Sequence, residues 1–144
     1  MMNSNKVYIY ELILQINHLS FIKVNKDLES EGLTASQARV LYYLYESEGT
    51  IQSQIQKYLS IKSSSLTRLI DTLEKKGLVV RRTTTEDART KKIFLTPEGT
   101  NKKEKLFEAR DETEADIIKP LSPDECNELI ASLTKIQKEL LKYQ

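Results

Sequence analysis

The sequence predicts a mainly α-helical chain carrying one small β-hairpin, and three observations lead there. Apolar residues recur at helical spacing over most of the length. Two short runs, Leu78 to Thr83 and Lys91 to Thr96, instead alternate with period two around a polar stretch. Only four glycines and three prolines among 144 residues leave too few turns for an all-β fold.

From Lys6 to Ser30, Ile9, Leu12, Ile13, Ile16, Leu19 and Val24 mark a long first helix that ends near Gly32. Thr34 opens the second, with Gln37 as its partner in a capping box, and Gly49 closes it after Leu41, Leu44 and the tyrosines 42, 43 and 45. Thr50 is expected to cap a short third helix that buries Ile51, Ile55 and Leu59. After a break at 60–62, Leu66, Leu69, Ile70 and Leu73 stripe a fourth helix that stops at Gly77. Two short helices joined so tightly form a helix-turn-helix.

In the hairpin that follows, Leu78 with Val80 and Ile93 with Leu95 alternate at period two. Its tip, 84–90, has no apolar residue larger than Ala88. A helical pair leading directly into such a hairpin is the winged helix-turn-helix arrangement. Thr96 and Pro97 then start a charged helix that runs unbroken to Lys119. Ser122, Pro123 and Glu125 cap a last helix, in which Cys126, Leu129, Leu133, Ile136, Leu140 and Tyr143 form a heptad seam.

The net charge of +1 hides a strong segregation: residues 56–105 carry 13 Lys and Arg against 6 Asp and Glu, and the remainder 9 against 15. A basic middle between acidic ends suits one lobe facing a polyanion, although a solvated surface would also tolerate it. The longest uncharged stretch, 12–22, is interrupted by Gln15, Asn17, His18 and Ser20 and is too short to span a bilayer. With no apolar leader after Met1 and one cysteine, Cys126, a cytoplasmic location and no disulfide are expected.

Candidate chemistry gathers on the fourth helix and the hairpin. Ser63, Ser64, Ser65, Thr67 and Arg68 make a polar first turn, where short hydroxyls let a backbone approach phosphates and base edges and arginine pairs with guanine. Taken alone, the serines equally suit ordinary capping. On the hairpin, Asp87 and Arg89 sit at the tip, with Arg81, Arg82, Lys91 and Lys92 on the strands. An arginine there can enter a minor groove, and a carboxylate two residues away can orient it. Solubility alone would also explain a charged tip.

Leu66-Thr-Arg-Leu-Ile-Asp-Thr-Leu-Glu-Lys-Lys-Gly-Leu-Val-Val-Arg, then Asp87-Ala-Arg89, then Leu95-Thr-Pro-Glu-Gly99 resembles, in order and spacing, the MarR family of bacterial regulators. The resemblance covers essentially the whole chain. It implies a single domain over 1–144, with dimerisation helices at 1–32 and 100–144 around a DNA-binding winged lobe at 33–99. By it, Asp87 and Arg89 match the wing Asp-x-Arg, and Ser63, Ser64, Thr67 and Arg68 match groove-facing positions. Ala88 departs from the second basic residue that members often carry there, which shifts weight onto Lys91 and Lys92.

The implied function is a sequence-specific double-stranded DNA-binding transcriptional regulator, a repressor released by a small molecule or other signal. A homodimer joined through Ile9, Ile13 and Ile16 of the first helix and Leu129, Leu133, Ile136 and Leu140 of the last would take a palindromic operator. The heptad seam supports a partner helix independently, with packing inside one subunit as the alternative. Family members often bind small aromatic or anionic effectors, for which His18, Phe21, Tyr42 and Tyr43 are the candidates here, although aromatics at helical spacing also build cores.

Other classes are less well supported. No Cys, His and carboxylate grouping has metal-ligand spacing, and no nucleophile triad or glycine-rich phosphate loop is present, so neither a metal nor a cofactor nor an enzyme is expected. Cys126 falls on the seam, away from the first-helix position where some members sense oxidants, and reads as a small apolar residue. The rival to a DNA-binding regulator is a winged-helix module that offers its basic face to an acidic protein.

Overall fold

The computed structural model describes residues 6–86 and 89–144. Its elements run α1 (Ile9–Asp27), a 3-10 turn (Glu29–Glu31), α2 (Ala35–Glu46), β1 (Thr50–Ile51), α3 (Gln52–Leu59), α4 (Ser63–Lys75), β2 (Val79–Thr83), β3 (Lys91–Leu95), α5 (Pro97–Asn101), α6 (Lys103–Ile118) and α7 (Pro123–Leu141). The chain resolves into two compact units, a first that ends at Arg110 and a second of Asp111–Gln144, with the division inside α6.

Local signals set most of the boundaries in the first unit. Thr34 accepts from the Gln37 backbone at 3.3 Å while the Gln37 side chain accepts from the Thr34 backbone at 3.2 Å, closing the capping box that starts α2. The α3–α4 turn passes through Ser60 in the left-handed region at φ 54, and α4 gives way to Gly77 at φ 74. Leu41, Leu44, Ile55, Leu66, Ile70 and Leu73 are wholly buried, so α2, α3 and α4 pack around one core that also takes Val79, Ile93 and Leu106.

Three features differ from the sequence reading. Thr50 does not cap α3: with Ile51 it forms a third strand, pairing Thr50 with Ile93 and Ile51 with Lys92, and the α3 N-cap is Ile51 without a side-chain bond. Thr50 instead uses its hydroxyl toward Gln54. The order in the sheet is β1-β3-β2, antiparallel throughout.

The second difference is one of register. Val79, not Val80, faces the core with Ile93 and Leu95, because Val79 pairs with Leu95 and Arg81 with Ile93. A one-residue shift turns every side chain of the strand over. Arg81 therefore shares the inner face with Ile93, whereas Arg82 and Lys92, also paired, share the outer one.

The third is the helix after Pro97, which is two helices meeting at Lys102 rather than one. Lys102 Nζ binds the Glu31 carbonyl at 3.2 Å and its carboxylate at 3.1 Å, tying this joint to the turn after α1. Thr96 caps α5 as expected, accepting from Gly99 N at 3.1 Å. Gly99 lies so close to the strand that a Cβ on it would stand 2.1 Å from the Leu78 carbonyl oxygen.

The helix at each end leaves its apolar residues in the open. No residue of α1 is buried, and Ile9, Leu12, Ile13, Ile16 and Leu19 are all exposed. In the second unit, α7 begins with the Ser122–Glu125 capping box, at 3.1 Å in both directions, and it too buries nothing. Leu129, Leu133 and Leu140 are exposed, while Cys126 and Ile136 are half-buried. No helix among the described residues is long and apolar enough to cross a membrane.

Candidate nucleic-acid interface

The outward face of α4 is built from residues that the core does not use. Leu66, Ile70 and Leu73 point inward, which leaves Ser63, Ser64, Ser65, Thr67 and Arg68 exposed on the opposite side of the first turns. Lys62 holds the N-cap position with extended backbone and makes no side-chain cap, so the first amides of the helix face outward without a protein side chain on them from that residue. The Thr67 hydroxyl donates to the Ser63 carbonyl at 3.0 Å and accepts from Gln52 Nε2 at 3.3 Å. One acceptor lone pair is left to it.

The hairpin places its cations unequally. Arg82 and Lys91 are exposed and Lys92 half-exposed, and the Arg82–Lys92 pair sets two like charges directly opposite each other across the strands. Such a pair destabilises an isolated hairpin and is relieved by an anion. Arg89 is exposed beyond the strand end. Asp87, expected as its partner, and Ala88 lie outside the described residues.

Arg81 behaves differently from the other cations of the expected interface. Its side chain is only 16% exposed, and its guanidinium pairs with Asp71 at 2.8 Å and Glu74 at 2.7 Å, both on α4. Nε donates to Gln52 at 3.3 Å and Nη2 to the Thr67 carbonyl at 3.5 Å, while the Arg81 amide donates to the second Glu74 oxygen at 3.2 Å. One side chain thus ties β2 to α3 and α4. The inner-face register explains this: Arg81 follows Val79 on the side that packs on the helices, so its charge is spent inside the lobe. Nothing in the local sequence announces it, since Asp71 and Glu74 are brought in only by the fold.

The residues expected to border an effector site come from α1 and α2. Adjacent in α2, Tyr42 and Tyr43 turn to different elements. Tyr42 donates to the Leu106 carbonyl at 2.8 Å and stacks on Phe107, whereas Tyr43 packs against Tyr58 of α3 with ring centroids 5.1 Å apart. His18 and Phe21 are exposed on α1. Tyr45, grouped with Tyr42 and Tyr43 in the sequence, donates its hydroxyl to the Gly99 carbonyl at 2.6 Å and meets Phe107 edge-on. Burial, and after it the neighbouring Tyr42, pushes the Tyr45 pKa up to about 12. Lys103 and Arg110 lie over this aromatic group, 4.6 to 5.8 Å from its rings.

A buried helical trio with a three-stranded sheet, the second helix of its tight pair facing outward beside a basic hairpin, defines a winged-helix protein. Comparison with known proteins narrows this. The family model described as MarR family matches residues 33–91. Among solved structures, S. aureus MepR in a complex with DNA is 31% identical, with 94% of this chain and 99% of that one covered and a TM-score of 0.85. A mutant MarR from E. coli, complexed with operator DNA, is 27% identical, covering 89% and 92% with a TM-score of 0.83. A MarR transcriptional regulator from Methanosarcina mazei Go1 shares the fold at 24% identity, covering 97% and 94% with a TM-score of 0.86. The chain belongs to the MarR family of transcriptional regulators.

Proposed function

We propose that this regulator binds double-stranded DNA sequence-specifically, as a two-fold dimer on a palindromic operator, and represses transcription there until a small-molecule or other signal releases it. The observation that carries the reading is the contrast between Arg81 and the cations around it. Arg81 has its charge answered inside the lobe, while Arg82 and Lys92 face one another beside a hydroxyl-rich helix turn, an arrangement that a phosphate backbone would relieve. Ser63, Ser64, Ser65, Thr67 and Arg68 would enter the major groove, with Arg82, Lys91 and Lys92 on phosphates and Arg89, oriented by Asp87, at the minor groove. The DNA in the structures of S. aureus MepR and the E. coli MarR mutant supports DNA as the partner of this chain.

The bare apolar faces of α1 and α7 support a second copy as the partner, joined through Ile9, Ile13, Ile16, Leu129, Leu133, Ile136 and Leu140. Two recognition helices held about one DNA turn, roughly 34 Å, apart would then read two half-sites. A signal that changes this spacing would release DNA by binding the two arrangements unequally. Selecting fragments of host genomic DNA on the full-length protein tests the reading. Retained fragments should share an inverted repeat and bind two chains per site. Retention of none, alongside capture of an acidic protein by the same basic face, would favour the interaction-module alternative.

A further inference from the structure

Resting on the DNA-binding reading above, we infer that Arg68 is the guanine-reading residue of each half-site, and that Arg81 keeps it available by holding the Asp71 carboxylate that would otherwise capture it. Arg68 is the one arginine of α4 and is exposed. On the helix surface its neighbours toward the N-terminus, at i−4 and i−3, are Ser64 and Ser65, whose short side chains let the backbone come close to base edges. Toward the C-terminus its neighbours at i+3 and i+4 are Asp71 and Thr72. Thr72 is turned back, its hydroxyl donating to the Arg68 carbonyl at 2.9 Å. Arg68 is therefore the long donor that stands clear of a low, hydroxyl-bearing surface.

Asp71 is the hazard in this arrangement. A carboxylate three residues from an arginine on one helix face is well placed to pair with it. Here Asp71 Oδ1 instead receives Arg81 Nη2 at 2.8 Å, and Glu74 is held by both Nη1 and the Arg81 amide. Among the described residues no ion pair or hydrogen bond holds the Arg68 guanidinium. The strand thus supplies a cation that neutralises the acidic half of the recognition helix, and the arginine of the other half keeps its fork for a bidentate contact with guanine O6 and N7. Arg68 is the specificity-determining residue and Arg81 the positioning one.

The test uses the full-length protein and duplexes selected on it from a randomised 30-base-pair pool, roughly three helical turns. Each guanine is replaced in turn by 7-deazaguanine, which lacks the N7 acceptor. Wild type should lose about ten-fold or more in affinity at one symmetry-related guanine position, and Arg68→Ala, already weaker, should be indifferent to the same replacement. Arg68→Lys should keep the salt dependence of binding and lose the discrimination, because an ammonium cannot make the paired contact. Arg81→Ala should also lose discrimination, and adding Asp71→Asn should restore it; a strand brace with no electrostatic role would give no such rescue. Should Arg81→Ala not fold, Asp71→Asn in the wild-type background must keep full discrimination, and its loss of that discrimination would overturn the role given to Arg81. Unchanged base preference in Arg68→Ala, on duplexes that wild type still binds, would overturn the inference while leaving DNA binding intact. Selection of no duplex at all would remove both.

Discussion

Replacing Leu133 with lysine probes the claim that the apolar face of α7 is covered by a second chain. Leu133 retains 46% of its surface in the single chain. Burying a whole leucine is worth about 1.5–3 kcal/mol, so covering what is left contributes about 0.7–1.4 kcal/mol per subunit. A two-fold interface contains the position twice, which brings the loss on substitution to about 1.5–3 kcal/mol before any cost of the charge. Desolvating the new ammonium adds to this, partly offset because the long lysine stem can carry its charge outward. Self-association should weaken by about 10-fold or more, since each 1.4 kcal/mol is ten-fold. Sedimentation equilibrium on the full chain reads this directly. Because Leu133 is exposed in the monomer, α7 should keep its helicity, which circular dichroism checks. An unchanged association constant would refute the placement of the seam and move the interface elsewhere.

Four further outcomes follow from the geometry. Arg89→Ala should weaken binding most at operators with A·T-rich flanks and leave the dimer untouched, as read by mobility shift and sedimentation; equal binding to all flanks would remove Arg89 from the minor groove. Gly99→Ala forces a Cβ to within 2.1 Å of the Leu78 carbonyl and should cost about 3 kcal/mol or more, visible as a large fall in Tm. Thr34→Ala opens the α2 capping box and should cost about 1 kcal/mol, measured by urea unfolding. Tyr45 has a folded-state pKa near 12 against 10.0 for an ordinary tyrosine. Its unfolded form therefore releases a proton first, and stability should fall as pH rises from about 10 toward 12. Tyr45→Phe should flatten that fall while lowering stability at neutral pH through the lost bond to the Gly99 carbonyl.

The elements that sequence reading captured are those whose determinants lie within a few residues. Thr34 with Gln37 and Ser122 with Glu125 announce helix starts because both halves of each capping box are local. The striping of Leu66, Ile70 and Leu73 fixes the buried face of α4, and by subtraction the exposed face that bears Arg68. What escaped depends on distant partners. The two residues of β1 are too few to show a period, and Thr50 joins the sheet only because Ile93 arrives beside it. Leu78, Val79 and Val80 are all apolar, so alternation could not tell which faces inward, and the placing of Arg81 opposite Ile93 is visible only in the sheet. The break at Lys102 falls where that lysine grips Glu31, 71 positions away. Tyr42 and Tyr43 resembled one cluster in sequence, yet adjacent helical positions diverge by about 100° and reach separate partners.

The salt dependence of DNA affinity tests the central claim most directly. On the proposed reading each lobe would offer Arg82, Lys91 and Lys92 to phosphates, with Lys62 at the start of α4, so two lobes would displace about eight counterions. Titrating the selected duplex between 50 and 200 mM salt should give a log–log slope of about −7, a loss of affinity of about 10⁴-fold. A slope near zero from a dimeric, folded protein would contradict the assignment of this face to the DNA backbone.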